Sequence, residues 1–407
     1  MSAHAPSLAP LRQDATIIGL VGLAHASSHF SHLLLPLMFP VFMSTFSLSY
    51  SEVGALMSVF FVVSGMGQAS AGFLVDRVGA RPVLFATLIV LALACTVCAI
   101  ADGYRDLLVA AALLGLGNSA FHPVDFTILN QRVSSARLGY AFSAHGLTGN
   151  LGWAVAPIFM VGLSGAYGWR GAYMAAAGVY LIILALLWWQ RESLHTVEAK
   201  APEGTANNPA PHTLAFMRLP VVWWCFGFFL LSTMTLAVVQ SFSASILQHM
   251  HGISFETATM TLTAYMLCAA VGMFFGGWVS ARFPVQSDHV VAACMAAAAV
   301  LMALCGSGWL GGTASMVILA LTGLAIGIGG PSRDMMIKKA TPKGATGRVY
   351  GMVYSGLDIG FAISPLIFGL FMDHGWYGAT LIGGAVVLLL SVFAALGVGQ
   401  RTQQPAT

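Results

Sequence analysis

Long apolar runs fill this chain, each followed by a short polar break. A helix needs about 20 apolar residues to cross the hydrocarbon layer of a membrane. The sequence holds twelve such runs and therefore predicts twelve membrane-spanning helices. They start near Ala15, Glu52, Pro82, Leu107, Leu138, Arg170, Met217, Phe255, His289, Ala314, Thr346 and Tyr377. The first run extends past Phe39, which is too long for the core of a signal peptide, so we predict that it is retained.

The composition supports a surface that faces lipid. Of the 407 residues, 58% are hydrophobic and 8% are charged, whereas a soluble domain carries about 25% charged residues. So few charges cannot cover a surface exposed to water. The fold class predicted from the sequence is therefore an all-α membrane protein.

The Lys and Arg residues are distributed unevenly among the predicted loops. If the N-terminus lies inside, fifteen of the seventeen basic residues fall in inside segments, and only Arg105 and Arg170 fall outside. An excess of basic residues marks the cytoplasmic side of a membrane protein. We therefore predict a multi-pass protein of a bacterial inner membrane with both termini in the cytoplasm. The net charge of +3 reflects this topology and does not indicate a nucleic-acid partner.

The second half of the chain repeats the first in the same order and direction. A shift of 208 positions aligns Pro123 with Pro331 and Gly152 with Gly360. A segment rich in Pro, Ala, Asn and charge separates the two halves. The predicted domains are an N-terminal six-helix bundle over 1–190, a cytoplasmic linker over 191–216 and a C-terminal six-helix bundle over 217–407.

The polar loop after the second span reads GFLVDRVGAR. It resembles the G-x-x-x-D-R-x-G-R-R signature of the major facilitator superfamily, with an alanine replacing one basic residue. The resemblance covers nearly the whole chain and implies two parallel six-helix repeats that rock about a solute site by alternating access. It also implies a gating role for Gly72, Asp76, Arg77, Gly79 and Arg81. The alternative is a positively charged loop that only fixes topology.

Three short motifs in the first half narrow the resemblance further. Span 1 has His25 followed by Leu-Leu-Pro, span 4 has Phe-His122-Pro, and span 5 has GNLGWAVAP starting at Gly149. These motifs resemble the fosmidomycin-resistance-type branch of the superfamily, in which an Asp stands where this chain has His29. The resemblance implies export of a small polar or anionic compound.

Five histidines lie within predicted spans, all of them in the first half: His25, His29, His32, His122 and His145. The first three share one narrow face of a helix. Imidazole titrates near neutral pH, so proton coupling is the favoured explanation. Two alternatives stay open, namely a metal site formed by His25, His29 and His32 and hydrogen bonds between helices that serve packing alone.

Other ionisable and polar groups within the spans are candidates for the substrate or proton pathway, because such groups are costly in a membrane. In the first half these are Asp125 and Asn150, and the alternative for Asp125 is a buried ion pair with Arg132 or Arg137. In the second half they are Gln240, Arg333, Asp334, Tyr354 and Asp358. An arginine here could bind an anionic substrate, or it could be neutralised by the neighbouring aspartate.

The predicted function is proton-coupled secondary transport of a small polar or anionic organic solute, with efflux as the implied direction. One alternative is a transition-metal or metal-chelate transporter that uses the span-1 histidines, and another is proton-coupled carboxylate uptake. The sequence has no nucleophile–base motif, phosphate loop or cofactor motif, so neither an enzyme nor an ATP-driven pump is expected, and no cofactor. The expected partners are the solute, protons and the lipid bilayer, and the chain is expected to act as a monomer.

Overall fold

The computed structural model describes residues 10–134, 137–197, 215–283, 286–340 and 346–403. These ranges form α-helices joined by short connections, together with two 3₁₀ turns at Pro36–Met38 and Ala215–Arg218. The α-helices are α1 (Leu11–Leu34), α2 (Phe39–Phe46), α3 (Tyr50–Val78), α4 (Ala80–Ile100), α5 (Tyr104–Asn118), α6 (Phe121–Arg132), α7 (Leu138–Trp189), α8 (Pro220–His251), α9 (Phe255–Arg282), α10 (Ser287–Gly306), α11 (Gly312–Ala340), α12 (Thr346–Asp373) and α13 (Tyr377–Gln403).

Eleven segments of the described chain are long and apolar enough to cross a membrane. One of them, Tyr140–Trp189, has 50 residues, more than twice the length that one crossing requires. Within α7, Gly168 adopts φ 75° and ψ 162°, which interrupts the helix. A positive φ is accessible to glycine because it has no Cβ. Counting the two parts of α7 separately gives twelve spans, so the predicted all-α membrane fold is confirmed.

Prolines interrupt two of the other spans. Pro36 has no backbone N–H to continue a helix, so α1 ends at Leu34 and the span continues through a 3₁₀ turn into α2. In span 4, α5 ends at Asn118 and a new helix begins at Phe121, with Pro123 in its first turn. The second interruption thus falls among polar residues of the candidate site.

The described residues divide into two compact units. One comprises the described residues within 10–34, 63–156 and 163–197, and the other comprises those within 35–62, 157–162 and 215–403. In the first unit, α1 packs against α6, and α4 packs against α5 and α6. In the second, α8 packs against α12 and α13, while α11 packs against α9 and α10. The boundaries predicted from the sequence, 1–190 and 217–407, stay a prediction.

The glycines of the span-5 motif allow α7 to approach α1 closely. A Cβ added at Gly149 would lie 2.6 Å from Cε1 of His29. A Cβ added at Gly152 would overlap the backbone carbonyl of Ala26, which a change of side-chain rotamer cannot relieve. The motif therefore has a packing role that places α7 beside the histidines of α1.

We expect Gly152→Ala to destabilise the protein by about 1–3 kcal/mol, because the new methyl group forces two helix backbones apart. The matched control is Gly165→Ala in the same helix, where an added Cβ meets nothing within 4 Å. Thermal unfolding of both purified variants in detergent tests this expectation. Equal melting temperatures for the two variants would contradict the packing role.

Candidate functional site

Asp125 of α6 is fully buried and joins three helices. Its Oδ2 lies 3.1 Å from Nδ1 of His25 on α1 and 3.1 Å from Nε2 of His145 on α7. Its Oδ1 is buried and has no hydrogen-bond partner among the described residues. Two imidazoles therefore share one carboxylate oxygen, while the second oxygen remains available to bind a proton.

Further imidazoles surround this carboxylate. The rings of His25 and His145 are stacked with centroids 3.5 Å apart, and the ring of His25 lies 4.5 Å from His29 and 5.3 Å from His122. We call Asp125 and these four histidines the histidine cluster. Positive charges this close repel each other strongly inside a protein, so the four rings cannot all be protonated together.

His32 belongs to a separate chain of hydrogen bonds. Its Nδ1 accepts a bond from the indole N–H of Trp153 at 3.3 Å, so its proton resides on Nε2, which donates to Oδ1 of Asn118 at 3.2 Å. The same Oδ1 accepts from Ser28 at 2.6 Å, and the Asn118 amide donates to Ser64 at 3.0 Å. These bonds fix His32 as one neutral tautomer, in contrast to the histidine cluster.

The two arginines considered as partners of Asp125 bind elsewhere. Nε of Arg137 lies 2.6 Å from Oδ2 of Asp14, a fully buried carboxylate near the start of α1. The hydroxyl of Ser134 bonds to the same carboxylate oxygen. Arg132 donates from Nη2 to the backbone carbonyl of Glu192 at 3.3 Å. The geometry thus favours histidine partners for Asp125 over the ion pair considered from the sequence.

The signature loop is described in part. Gly79 has φ 80°, and α4 begins directly after it. Arg77 is exposed, whereas Nη1 of Arg81 donates to the backbone carbonyl of Arg191 at 3.3 Å. The side chain of Asp76 lies outside the described residues. The gating role of this loop stays a prediction.

Arg333 has aromatic and acidic neighbours within the second unit. Its Nη2 lies 3.0 Å from Oδ1 of Asp334, and its guanidinium lies 5.3 Å from the ring centroid of Phe229. The ring of Tyr354 packs against the same Phe229 ring, with the two centroids 4.9 Å apart. The structure therefore brings together Arg333, Asp334 and Tyr354. The Arg333–Asp334 ion pair lies beside the rings of Phe229 and Tyr354.

Three other predicted residues have different surroundings. Gln240 is buried in α8, and its Nε2 has no hydrogen-bond partner among the described residues. Asp358 is half-buried on α12. Asn150 donates to the backbone carbonyl of Gly146, one turn earlier in α7. Their part in transport stays a prediction.

Sequence reasoning missed two residues of the site, Asn118 and Ser64. The Asn118 side chain of α5 accepts hydrogen bonds from Ser28 and His32 of α1 and donates one to Ser64 of α3. A single asparagine in an otherwise apolar span is a costly residue that would have indicated such a role. Ser64 carries no comparable signal, because serine is common in membrane helices.

The model of the Major Facilitator Superfamily matches residues 21–246 and 231–406. The chain belongs to the major facilitator superfamily. The family and its solved structural neighbours are those of transporters, which supports a transporter and not an enzyme. The protein is accordingly an integral, multi-pass membrane protein of a secondary-transport family.

Several bacterial relatives match over most of their length. The chain is 24% identical to the fosmidomycin resistance protein of Escherichia coli K12, covering 92% of this chain and 90% of the relative. It is 25% identical to the probable nitrate/nitrite transporter NarK2 of Mycobacterium tuberculosis, covering 89% and 91%. It is 23% identical to the hexuronate transporter of Bacillus subtilis, covering 88% and 87%. The resemblance to the fosmidomycin-resistance type is thereby confirmed.

A solved structure shows the same fold. A bacterial homologue of the human lysosomal transporter Spinster, in an inward-facing and unoccupied conformation, superposes with a TM-score of 0.76 at 15% identity. The match covers 98% of this chain and 100% of that chain. The predicted major facilitator fold is confirmed.

We expect Asn118→Ala to lower stability by several kcal/mol, because it leaves His32, Ser28 and Ser64 without a shared partner, at about 1–3 kcal/mol for each buried group. The matched control is Asn130→Ala, an exposed residue whose amide bonds only to its own helix. Thermal unfolding in detergent measures both. An Asn118 variant as stable as the Asn130 variant would show that the chain of bonds does not hold the helices.

Proposed function

We propose that the histidine cluster is the proton site of a secondary transporter that moves a small polar or anionic organic solute by alternating access. The observation that carries this proposal is the buried Asp125 carboxylate shared by His25 and His145. Ionisable groups buried within membrane spans are expensive and commonly belong to ion pathways. A purely structural hydrogen bond between helices would not require an ionisable carboxylate and several imidazoles.

The chemistry of the cluster suits reversible protonation. An isolated charge in an apolar interior is strongly unfavourable. Here a carboxylate lies against two imidazoles, so a proton can be gained or lost while charge is compensated locally. No bound cofactor is needed for this step.

The proposal of an anionic solute rests on separate observations. Relatives are named for nitrate, nitrite and hexuronate, all of which are anions. In the second unit of this chain, Arg333 provides a cation on an aromatic surface. A planar guanidinium can bind carboxylate or similar oxyanions through two parallel hydrogen bonds. We propose efflux as the direction, and uptake of a carboxylate is the alternative that the same chemistry permits.

The remaining parts of the proposal concern location and assembly. The distribution of basic residues supports an inner-membrane protein with both termini in the cytoplasm. The signature loop at Gly72–Arg81 is proposed to gate the cytoplasmic side. We further propose that the chain acts as a monomer.

The coupling proposal is tested in proteoliposomes loaded with a pH-sensitive dye. The solutes to be applied are fosmidomycin, nitrate and a hexuronate. We expect the transport of at least one of these solutes to be accompanied by proton movement, which the dye reports. An imposed pH gradient should in turn drive the flux of that solute. Asp125→Asn should abolish the response to pH, because the amide cannot be ionised. Asp106→Asn, which changes an exposed aspartate at the start of α5, is the matched control.

Two outcomes would count against coupling at this site. One is a solute flux through the unmodified protein that does not change with the imposed pH gradient. The other is a flux that responds equally to pH in the Asp125 and Asp106 variants. The second outcome would leave transport intact and place the proton site elsewhere.

A transition-metal ion is a second candidate substrate for the same cluster. His25, His29 and His122 present ligand nitrogens that lie within 4.8 Å of one another, and His25, Asp125 and His145 form a second such group. Nδ1 of His29 is buried without a hydrogen-bond partner among the described residues. Imidazole and carboxylate are ordinary ligands of Zn²⁺, Ni²⁺ and Co²⁺. His32, the third ligand predicted from the sequence, belongs to neither group.

Titration calorimetry with Zn²⁺ and Co²⁺ on protein stripped of metal separates the two candidates. If a metal ion is the substrate, the unmodified protein should bind it at a saturable site. The affinity of that site should fall at least tenfold in His29→Ala and in His122→Ala. His374→Ala, which changes an exposed histidine bonded to its own helix, is the matched control. Absence of saturable binding in the unmodified protein would exclude the metal candidate and leave the proton proposal standing.

A further inference from the structure

A cavity of about 460 Å³ lies in the first unit, beside the junction of α3 with α4 and the end of α7. It is separate from the histidine cluster and shares no residue with it. Its lining includes three basic side chains, Arg81, Arg191 and His195, and two aromatic ones, Phe85 and Trp188. By the distribution of basic residues, this end of the helices faces the cytoplasm.

Two arginines that line the cavity contact the same carboxylate oxygen of Glu192, an exposed residue at the edge of the cavity that does not line it. Nη1 of Arg81 lies 3.4 Å from Oε1 of Glu192, and Nε of Arg191 lies 3.6 Å from the same oxygen. The Glu192 side chain is 81% exposed, so water can replace its contacts at little cost. The two arginines can therefore hold an oxyanion, and Glu192 competes with any anion that enters from outside.

The start of α4 adds further positive potential. The backbone N–H of Ala80 donates to Oγ1 of Thr196 at 2.8 Å, which fixes the segment after α7 against the beginning of α4. The first turn of a helix carries a partial positive charge, and in α4 this charge is what remains for an anion, because the N–H of Ala80 already donates to Thr196 and Pro82 has none. The cavity lies at this helix start, because Arg81 and Pro82 line it.

Two aromatic side chains also line the cavity, beside its basic groups. The rings of Phe85 and Trp188 lie 5.3 Å apart, and the guanidinium of Arg191 lies 5.7 Å from the Trp188 ring. Trp188 is 55% exposed near the end of a membrane-spanning helix, where tryptophan commonly lies at the level of lipid headgroups. The cavity thus combines basic groups with an apolar surface at the membrane boundary.

We propose that this cavity binds the headgroup of an anionic phospholipid of the cytoplasmic leaflet. Arg81 and Arg191 bind the phosphate in place of Glu192, and Trp188 packs against the glycerol and the first part of the acyl chains. Basic pockets between membrane helices on this side are suited to such headgroups. The proposal is independent of the proton chemistry proposed for the histidine cluster.

The test uses delipidated protein in detergent, with lipid binding followed by thermal stabilisation and by native mass spectrometry. We expect phosphatidylglycerol to raise the melting temperature and to remain bound, and phosphatidylcholine to do neither. Inorganic phosphate should have no effect at equal concentration, because it lacks the apolar part. Stabilisation by inorganic phosphate equal to that by the lipid would show a free-anion site and overturn the lipid proposal.

Variants distinguish lipid binding in this cavity from a general attraction between basic residues of the loop and anionic lipid. Arg81→Ala and Arg191→Ala should each weaken phosphatidylglycerol binding roughly fivefold. Arg77→Ala removes an exposed arginine of the same loop that does not line the cavity, and it should leave binding unchanged. Glu192→Gln removes the competing carboxylate and should tighten binding. Equal losses in the Arg77 and Arg81 variants, or no gain from Glu192→Gln, would overturn the proposal.

Discussion

The burial of Asp125 is the constraint on which the first unit depends. A fully buried carboxylate is costly unless neighbouring side chains compensate its charge. His25 and His145 reach it from α1 and α7, and both must be within hydrogen-bond distance. That requirement explains the close approach of these helices, which Gly149 and Gly152 permit. The glycines of α7 therefore allow the helix packing by which histidines reach the buried Asp125 carboxylate.

Two polar systems lie side by side in this unit and differ in one physical respect. In the chain from Trp153 through His32 to Asn118, every bond has a donor and an acceptor that fix one tautomer. In the histidine cluster, by contrast, Oδ1 of Asp125 and Nδ1 of His29 have no partner among the described residues. The first system is suited to holding helices in place. The second has capacity to bind a proton or a cation, which is what a coupling site requires.

Hydropathy and helical periodicity act within one segment, so the sequence predicted the twelve spans and the shared face of the span-1 histidines, while the family followed from the resemblance of its motifs. It did not predict the individual side-chain contacts between helices. For that reason the division between His25 and His32, the bond between Asp14 and Arg137, and the role of Asn118 emerged only from the structure. The same limit applies to Thr196, a residue of the predicted linker, whose hydroxyl accepts a hydrogen bond from the backbone N–H of Ala80 at the start of α4. Contacts between residues distant in sequence depend on helix packing that no local pattern encodes.

The central claim is that the histidine cluster exchanges protons when solute binds. Its most direct test is the number of protons taken up or released on solute binding, measured with an indicator dye in weakly buffered detergent solution. The account predicts a pH-dependent proton exchange in the unmodified protein that is lost in Asp125→Asn while solute still binds. The same proton exchange in both proteins would contradict the account.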